Sequence, residues 1–278
     1  MVEYSENKAS DSASVTRKWI EYYEELSSKK GFHGSERSLN SFQSAQLQAV
    51  IRSVSAMLSK KDIIHIWSAG SGVDIASARI KKLFGNRTRI TLGDVSPICI
   101  ALNKNLFDSL KLEAEFLVED LLESQHMDEF DIVTNTGLLE HFNTIEKQML
   151  VEKFHKSLKK GGKYIALVPC SRARIYTRCM ERMKSKGIWP YGPEEPIDTF
   201  RPLSNSRFRL NQEYEVDCAD QFGLMPIAYP VLGKIFVPIN VLSSRLAGPL
   251  DKILVRAFGG YCLLGEFEKS DDAALLQN

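Results

Sequence analysis

The residues best suited to chemistry fall into short clusters, the first being Ser68-Ala69-Gly70-Ser71-Gly72. Small residues there let a ligand approach the backbone. A helix starting just after them offers unpaired N–H groups and a partial positive charge. That combination suits an adenosyl or nucleotide group. Asp94 closes a second apolar run and leads into Val95, Ser96 and Pro97. A carboxylate at a strand tip accepts hydrogen bonds from ribose hydroxyls. Ser96 suits an N-cap and Pro97 a first helical residue, which fixes the turn holding Asp94. Asp120-Leu121-Leu122 joins an acceptor for an exocyclic amine to apolar residues that line a flat ring. Asn135-Thr136-Gly137 ends a fourth run, with Glu140 and His141 on the same rim. His141, with an unperturbed pKa of about 6.5, is the candidate general base. The competing role is packing at a helix start.

The acceptor side is expected in residues 171–210, where nine basic residues stand against four acids. Arg174, Arg178, Arg182 and Lys186 recur every four residues and make one stripe on a helix. Such a stripe is either a solvated face or a grip on an anionic acceptor, a carboxylate or a phosphate. Trp189, Tyr191, Phe200 and Phe208 add aromatic area that stacks on a flat acceptor or forms a satellite core. Near the start of the chain, Trp19, Ile20, Tyr22, Tyr23 and Leu26 make an aromatic helical face. It either packs on the core or brings Tyr22 or Tyr23 over a ligand.

Strands are expected at 63–68, 88–94, 114–119, 130–136 and 162–169, and helices at 72–84, 97–110 and 144–159. Two further helices, from Val15 and over 39–58, precede them. Repeated β–α alternation implies a parallel sheet covered on both faces, with ligands beyond the strand carboxyl ends. Eight of the ten prolines lie beyond residue 185, which marks 187–202 as irregular. Beyond Pro169 the pattern predicts helices at 172–186 and 212–222, strands at 224–229 and 261–267, and an amphipathic piece at 243–258. That piece reads as a lid, a homodimer contact or a membrane-surface helix. The chain thus divides into a disordered tail (1–14), capping helices (15–60), a cofactor core (61–170), an acceptor or lid region carrying the sixth strand (171–258), and a last strand with its tail (259–278).

At 278 residues with a net charge of +1, the chain fits one large α/β domain without global attraction to nucleic acid or anionic membrane. No apolar run reaches the roughly 18 residues of a membrane span. Five scattered cysteines without C-x-x-C spacing, and a polar start unlike a signal peptide, point to reduced thiols in the cytoplasm. No His/Cys grouping suggests a metal.

The segments FDIVTNTGLLEHF and LKKGGKYIALVP, supported by GDVSP and the small-residue loop, resemble the class I S-adenosylmethionine-dependent methyltransferases over about residues 60–170. The resemblance implies a Rossmann-like doubly wound α/β fold. Its seven-stranded sheet has the order 3-2-1-4-5-7-6 with the last strand antiparallel, residues 261–267 being that seventh strand. It implies S-adenosyl-L-methionine as cofactor. Ala69, Gly70 and Gly72, with Ser68 and Ser71, would pass its methionine part. Asp94 would hold the ribose beside Ser96, Val95 would lie on the adenine, Asp120 and Leu121 would meet the adenine edge, and Asn135, Thr136 and Gly137 would border the sulfonium. Tyr22, Tyr23, Arg174, Arg178, Trp189 and Tyr191 are the acceptor candidates. Two positions depart from the family's D-x-G-x-G-x-G: Ile66 replaces the acid and Ser68 the first glycine, which removes an anchor for the cofactor's ammonium. A nicotinamide dinucleotide site needs a glycine where Ile75 stands. The expected reaction is direct displacement onto oxygen or nitrogen of a small molecule, anionic or aromatic. The alternatives are methylation of protein or RNA, the latter disfavoured by neutral charge, and a cofactor-binding scaffold without transfer activity.

Overall fold

The computed structural model describes residues 17, 19–25 (helical, α1), 39–230 and 249–270. Its centre is β1 (Ile64–Ala69), whose side chains alternate between two cores. Ile64 and Ile66 enter one core with residues of α2 (Ser41–Met57), α3 (Ile75–Phe84) and α4 (Pro97–Ser109), among them Val50, Ile80 and Phe107. Trp67 and Ala69 enter the other, with residues of α5 (Thr144–Ser157) and α6 (Arg174–Ser185), among them Phe154 and Tyr176. A one-residue slip would exchange the two sets, so the pleat itself fixes the register. Trp67 is fully buried, stacked on Phe130 and edge-on to Phe154; truncation to Ala would cost about 3–5 kcal/mol.

Around β1 lie β2 (Thr88–Asp94), β3 (Glu115–Val118), β4 (Phe130–Thr136), β5 (Leu158–Pro169), β6 (Phe208–Val216) and β7 (Cys262–Lys269). The order is β3-β2-β1-β4-β5-β7-β6. The first five strands pair in parallel, and β7 runs antiparallel to both β5 and β6. This is the sheet the resemblance implies. The order reverses at β1 and β4, so the crevice at their carboxyl ends is where a ligand binds in such sheets.

Buried Asp131 holds the opposite end of β4. It accepts from His65 N–H (2.9 Å) and pairs with Lys61 and with Lys159 (3.3 Å). Burial pushes its pKa up, but the His65 N–H and the two ammonium groups outweigh that and hold it below the usual carboxylate range. The acid of FDIV is therefore a clamp between strands, far from the site.

The C-terminal third corrects two expectations. Of residues 212–222, read as a helix, 212–216 lie in β6 and 219–222 in a 3-10 helix (Ala219–Leu224), while 224–229, read as a strand, holds the short helix Met225–Ala228. A bulge between Leu210 and Gln212 breaks the period of two in β6, which hides the strand from a periodicity argument. The stretch 187–200 is irregular as expected, with one 3-10 turn at Arg201–Leu203. A helix spans Pro249–Phe258; the tail 1–14 and residues 243–248 lie outside the described residues. No described helix is long and apolar enough to cross a membrane.

Candidate functional site

At the carboxyl ends of β1 and β4 lies a cavity of about 370 Å³. Its floor is the turn after β1, where Gly70 (φ +65°) and Gly72 (φ +50°) adopt the left-handed conformation that glycine alone enters cheaply. A Cβ on Gly72 would stand 2.5 Å from the Tyr23 hydroxyl. The turn is tied down from three directions. Ser71 N–H donates to the Gly93 carbonyl (2.9 Å). Gly72 N–H donates to Asp94 Oδ2 (2.8 Å). Asn103 Nδ2 donates to Gly72 O (2.6 Å) and Ser71 Oγ (3.1 Å).

Asp94 ends β2 and is 9% exposed. Its Oδ1 accepts Ser96 N–H (2.9 Å) and its Oδ2 accepts Gly72 N–H. A carboxylate has about four acceptor positions, so two remain for hydroxyls of a ligand. Burial raises its pKa, and the Ser96 and Gly72 bonds oppose that rise. Ser96 caps α4 through Cys99 N–H (3.4 Å) with Pro97 in the first turn, as expected. Val95, Leu121 and Leu122 form an apolar slot beside it, and Asp120 Oδ1 turns back to Leu122 N–H (2.9 Å).

Ile66, where the family carries an acid, is fully buried in the core. The nearby carboxylate comes instead from Asp74, the N-cap of α3, which accepts Ser77 N–H (2.8 Å) and the hydroxyls of Ser68 (2.7 Å) and Ser77 (2.5 Å). Asp74, Ser68, Gln46 and Asn135 line a smaller recess of about 70 Å³ that shares Gly70, Ser71, Gln43 and Thr136 with the main cavity. Gln46 locks α2 over the end of β4: its Nε2 donates to Thr134 Oγ1 (2.9 Å) and the Asn135 carbonyl (2.5 Å), and its Oε1 accepts from Thr136. Asn135 Nδ2 donates to the Tyr164 hydroxyl (2.8 Å), leaving buried Oδ1 without a partner among the described residues.

The other half of the cavity is built from side chains. Trp19, Tyr22 and Tyr23, on a helical stretch at 19–25, meet Tyr191: Trp19 and Tyr191 are near-parallel with ring centroids 6.0 Å apart. His141 lies edge-on to Trp19 at 5.1 Å. Its Nδ1 is 3.0 Å from the Pro193 carbonyl, an acceptor, so Nδ1 carries the proton and Nε2 is bare. Burial lowers the His141 pKa to about 4, with the Lys184 and Lys147 charges adding and the Pro193 bond opposing. Nε2 stands 3.8 Å from Glu140 Oε1. Glu140 is 2% exposed, and burial, reinforced by the charge of Glu194, pushes its pKa well above the carboxylate range. Glu194 is 8% exposed and accepts from Tyr176 and from Trp189 Nε1 (3.1 Å). Tyr261 and Phe42 complete the wall.

Of the residues singled out in the sequence, Gly70, Ser71, Gly72, Asp94, Val95, Asp120, Leu121, Thr136, Gly137, His141, Tyr22, Tyr23 and Tyr191 line the main cavity. Ser68 and Asn135 line the recess, and Ala69 is fully buried in the core. Trp189 stands behind the wall and positions Glu194. Arg174 and Arg178 are placed elsewhere: both are exposed on the solvent side of α6, whose buried face is Tyr176, Cys179, Met180 and Met183. Among the described residues no Lys or Arg lines the cavity, so of the two readings of the stripe Arg174 and Arg178 match the solvated face rather than a grip on an anionic acceptor. Gln43, Phe42, Glu194 and Tyr261 had no sequence signal, since each reaches the cavity from a segment without a local motif.

This sheet, with a glycine turn after β1 and an acid at the tip of β2, is the fold of the class I S-adenosylmethionine-dependent methyltransferases. Residues 66–162 match the model of a family described as a methyltransferase domain. No curated protein sequence matches the chain significantly. Among solved structures it is similar to 1,6-didemethyltoxoflavin-N1-methyltransferase from Burkholderia thailandensis, with S-adenosylhomocysteine bound (13% identity, 97% of this chain, 94% of that one, TM-score 0.54). It is also similar to the N-methyltransferase NodS from Bradyrhizobium japonicum WM9 (12%, 91% and 100%, 0.54). A third is geranyl diphosphate C-methyltransferase from Streptomyces coelicolor A3(2) (14%, 81% and 76%, 0.55). Identities this low speak for a common fold, and the acceptors named differ in kind.

Proposed function

We propose that the enzyme transfers a methyl group from S-adenosyl-L-methionine to nitrogen or oxygen of one small molecule by direct displacement. The observation that carries this is the single cavity in which the glycine turn and Asp94 face an aromatic wall. That wall leaves room for a small acceptor rather than a folded macromolecule.

The residues fit the cofactor. Asp94 has two acceptor positions left for ribose hydroxyls, Val95, Leu121 and Leu122 give the cavity an apolar lining for adenine, and Asp120 would accept from the exocyclic amine. Positive-φ glycines bring bare backbone to the methionine part, with Thr136 and Gly137 at the sulfonium end. Asp74, through Ser68, supplies the carboxylate that Ile66 does not, and the Asn135 Oδ1 is a second acceptor for an ammonium. The cofactor supplies an electrophilic methyl group, so the protein's task is alignment, exclusion of water and disposal of a proton. Trp19, Tyr22, Tyr23 and Tyr191 close the cavity against water, and His141 Nε2 is bare and faces the rim.

Calorimetry with S-adenosylhomocysteine, followed by its release from S-adenosylmethionine across a panel of small acceptors, tests this reading. Micromolar binding and turnover of at least one small molecule are expected. Absence of binding would overturn the proposal, and binding with turnover only of protein or RNA would replace it.

A further inference from the structure

Resting on the cofactor reading above, the acceptor half of the cavity has a charge character of its own. It presents aromatic faces from Trp19, Tyr22, Tyr191 and Tyr261, and two carboxylates, Glu140 and Glu194. The nearest ammonium groups are engaged on main chain or at the surface: Lys184 donates to the Glu194 carbonyl (3.0 Å), and Lys147 pairs with Glu195 (3.5 Å). Glu140 Oε2 is buried and has no hydrogen-bond partner among the described residues. Leaving such an atom unsatisfied costs about 1–3 kcal/mol or more, which a donor entering the cavity would recover. Aromatic faces attract a cation and offer nothing to an anion.

We propose that the acceptor is an amine that enters as an ammonium ion, its N–H groups donating to Glu140 with Glu194 alongside and its carbon body against Trp19 and Tyr191. A carboxylate or phosphate would meet two acidic side chains and, among the described residues lining the cavity, no Lys or Arg. Burial and the neighbouring Glu194 raise the proton affinity of Glu140; pairing with the entering cation ionises it, its proton leaving to solvent, and the carboxylate so formed takes the proton that blocks the nitrogen lone pair. The step balances as follows. The ammonium N–H passes its proton to a Glu140 carboxylate oxygen, and the freed lone pair forms the nitrogen–methyl bond. The methyl–sulfur bond breaks with its electron pair left on sulfur, giving S-adenosylhomocysteine and an N-methylammonium product, and the Glu140 proton leaves to solvent on product release.

The test uses the full chain with S-adenosylhomocysteine bound, titrated by calorimetry with 2-phenylethylamine, benzylamine and cyclohexylamine against phenol and benzoate. At least one amine is expected to bind tenfold or more tighter than phenol, with benzoate weakest. Glu140→Gln and Glu194→Gln should each weaken that amine tenfold or more while changing S-adenosylhomocysteine affinity less than twofold, which also certifies the folded site. Trp19→Ala gives a second route to the same loss should the carboxylate variants not fold. Preference for benzoate or phenol, no binding by any amine, or undiminished amine affinity in folded Glu140→Gln would overturn the inference. The cofactor reading would still stand if S-adenosylhomocysteine binds.

Discussion

In the cofactor half of the cavity the groups on offer are mostly main chain, presented by turns a few residues long. In the acceptor half they are side chains from four distant segments, around residues 19–23, 140–141, 191–194 and 261. A main-chain site depends on φ/ψ values that short motifs enforce, such as the left-handed glycines at 70 and 72. A side-chain site depends on tertiary packing, such as Trp189 holding Glu194 or the Glu195 N–H bonded to the Glu140 carbonyl (2.8 Å). The first can stay fixed while the second is rebuilt for another acceptor, which fits the general separation of fold from function.

The sharpest way to break the comparison is at Asp94, the side chain on which the proposed ribose contact depends. Asp94→Ala would remove that acceptor and would also strand the Gly72 and Ser96 N–H groups. S-adenosylhomocysteine affinity should fall about 100-fold or more, near 2.7 kcal/mol, the range of charge-assisted hydrogen bonds. Calorimetry measures it, with a thermal melt to separate binding from folding. A loss below threefold would mean that main-chain groups alone hold the cofactor.

On the acceptor side, His141 gives a readout that needs no substrate. Its folded pKa of about 4 lies below the unfolded value. The unfolded chain therefore binds a proton that the folded one refuses, and stability falls as pH drops through the window from about 6.5 to 4. Between pH 7.5 and 5 that loss is about 2 kcal/mol. Glu140, raised by burial, acts in the opposite sense, since its folded form holds a proton more tightly. It is present in both proteins when wild type is compared with His141→Asn. Urea unfolding at the two pH values should show a drop about 2 kcal/mol smaller in the variant. Equal drops would place His141 in a wetter setting than its 6% exposure implies.

Gly72→Ala probes the contact between the halves, because the added methyl meets the Tyr23 hydroxyl at 2.5 Å and the residue sits at φ +50°. The left-handed penalty alone is about 1–2 kcal/mol, so cofactor affinity should fall roughly tenfold. Adding Tyr23→Phe should recover part of this if the hydroxyl clash contributes. No recovery would assign the whole cost to the backbone.

The same contrast explains what the chain discloses before it is folded. The sheet order is legible only through the family resemblance, whereas the Ser96–Pro97 cap, Asp94 and the glycine turn are legible because each rests on a few adjacent residues. The strand β6 was hidden by its bulge, and Glu194 and Tyr261 carry no local pattern at all. Ile66 was legible as a departure, but the acid we propose in its place was not, because Asp74 is the cap of the next helix and is tied in by Ser68 and Ser77. The stripe on α6 misled for a related reason. Period-four spacing shows that residues share a helix face and does not say which face meets the cavity.

That stripe supplies the smallest expected effect. Arg182 Nε donates to the Ala228 carbonyl (2.8 Å) and its guanidinium lies 4.5 Å from the Tyr229 ring centroid, while Lys186 reaches the same carbonyl at 3.4 Å. The C-terminal half of the stripe therefore fastens the short helix Met225–Ala228. Arg174 and Arg178, nearer the helix start, are exposed. Charges in solvent are screened beyond about 10 Å at 0.1 M salt, so their influence on a ligand enclosed behind Tyr176 and Glu194 is slight. The double variant Arg174→Glu, Arg178→Glu should change the acceptor KM by less than about twofold at that ionic strength. Arg182→Glu, by contrast, should lower the melting temperature measurably. A KM change above fivefold in the double variant, abolished by added salt, would mean that acceptors are steered electrostatically from outside the cavity. The surface of α6 would then belong with the acceptor half after all.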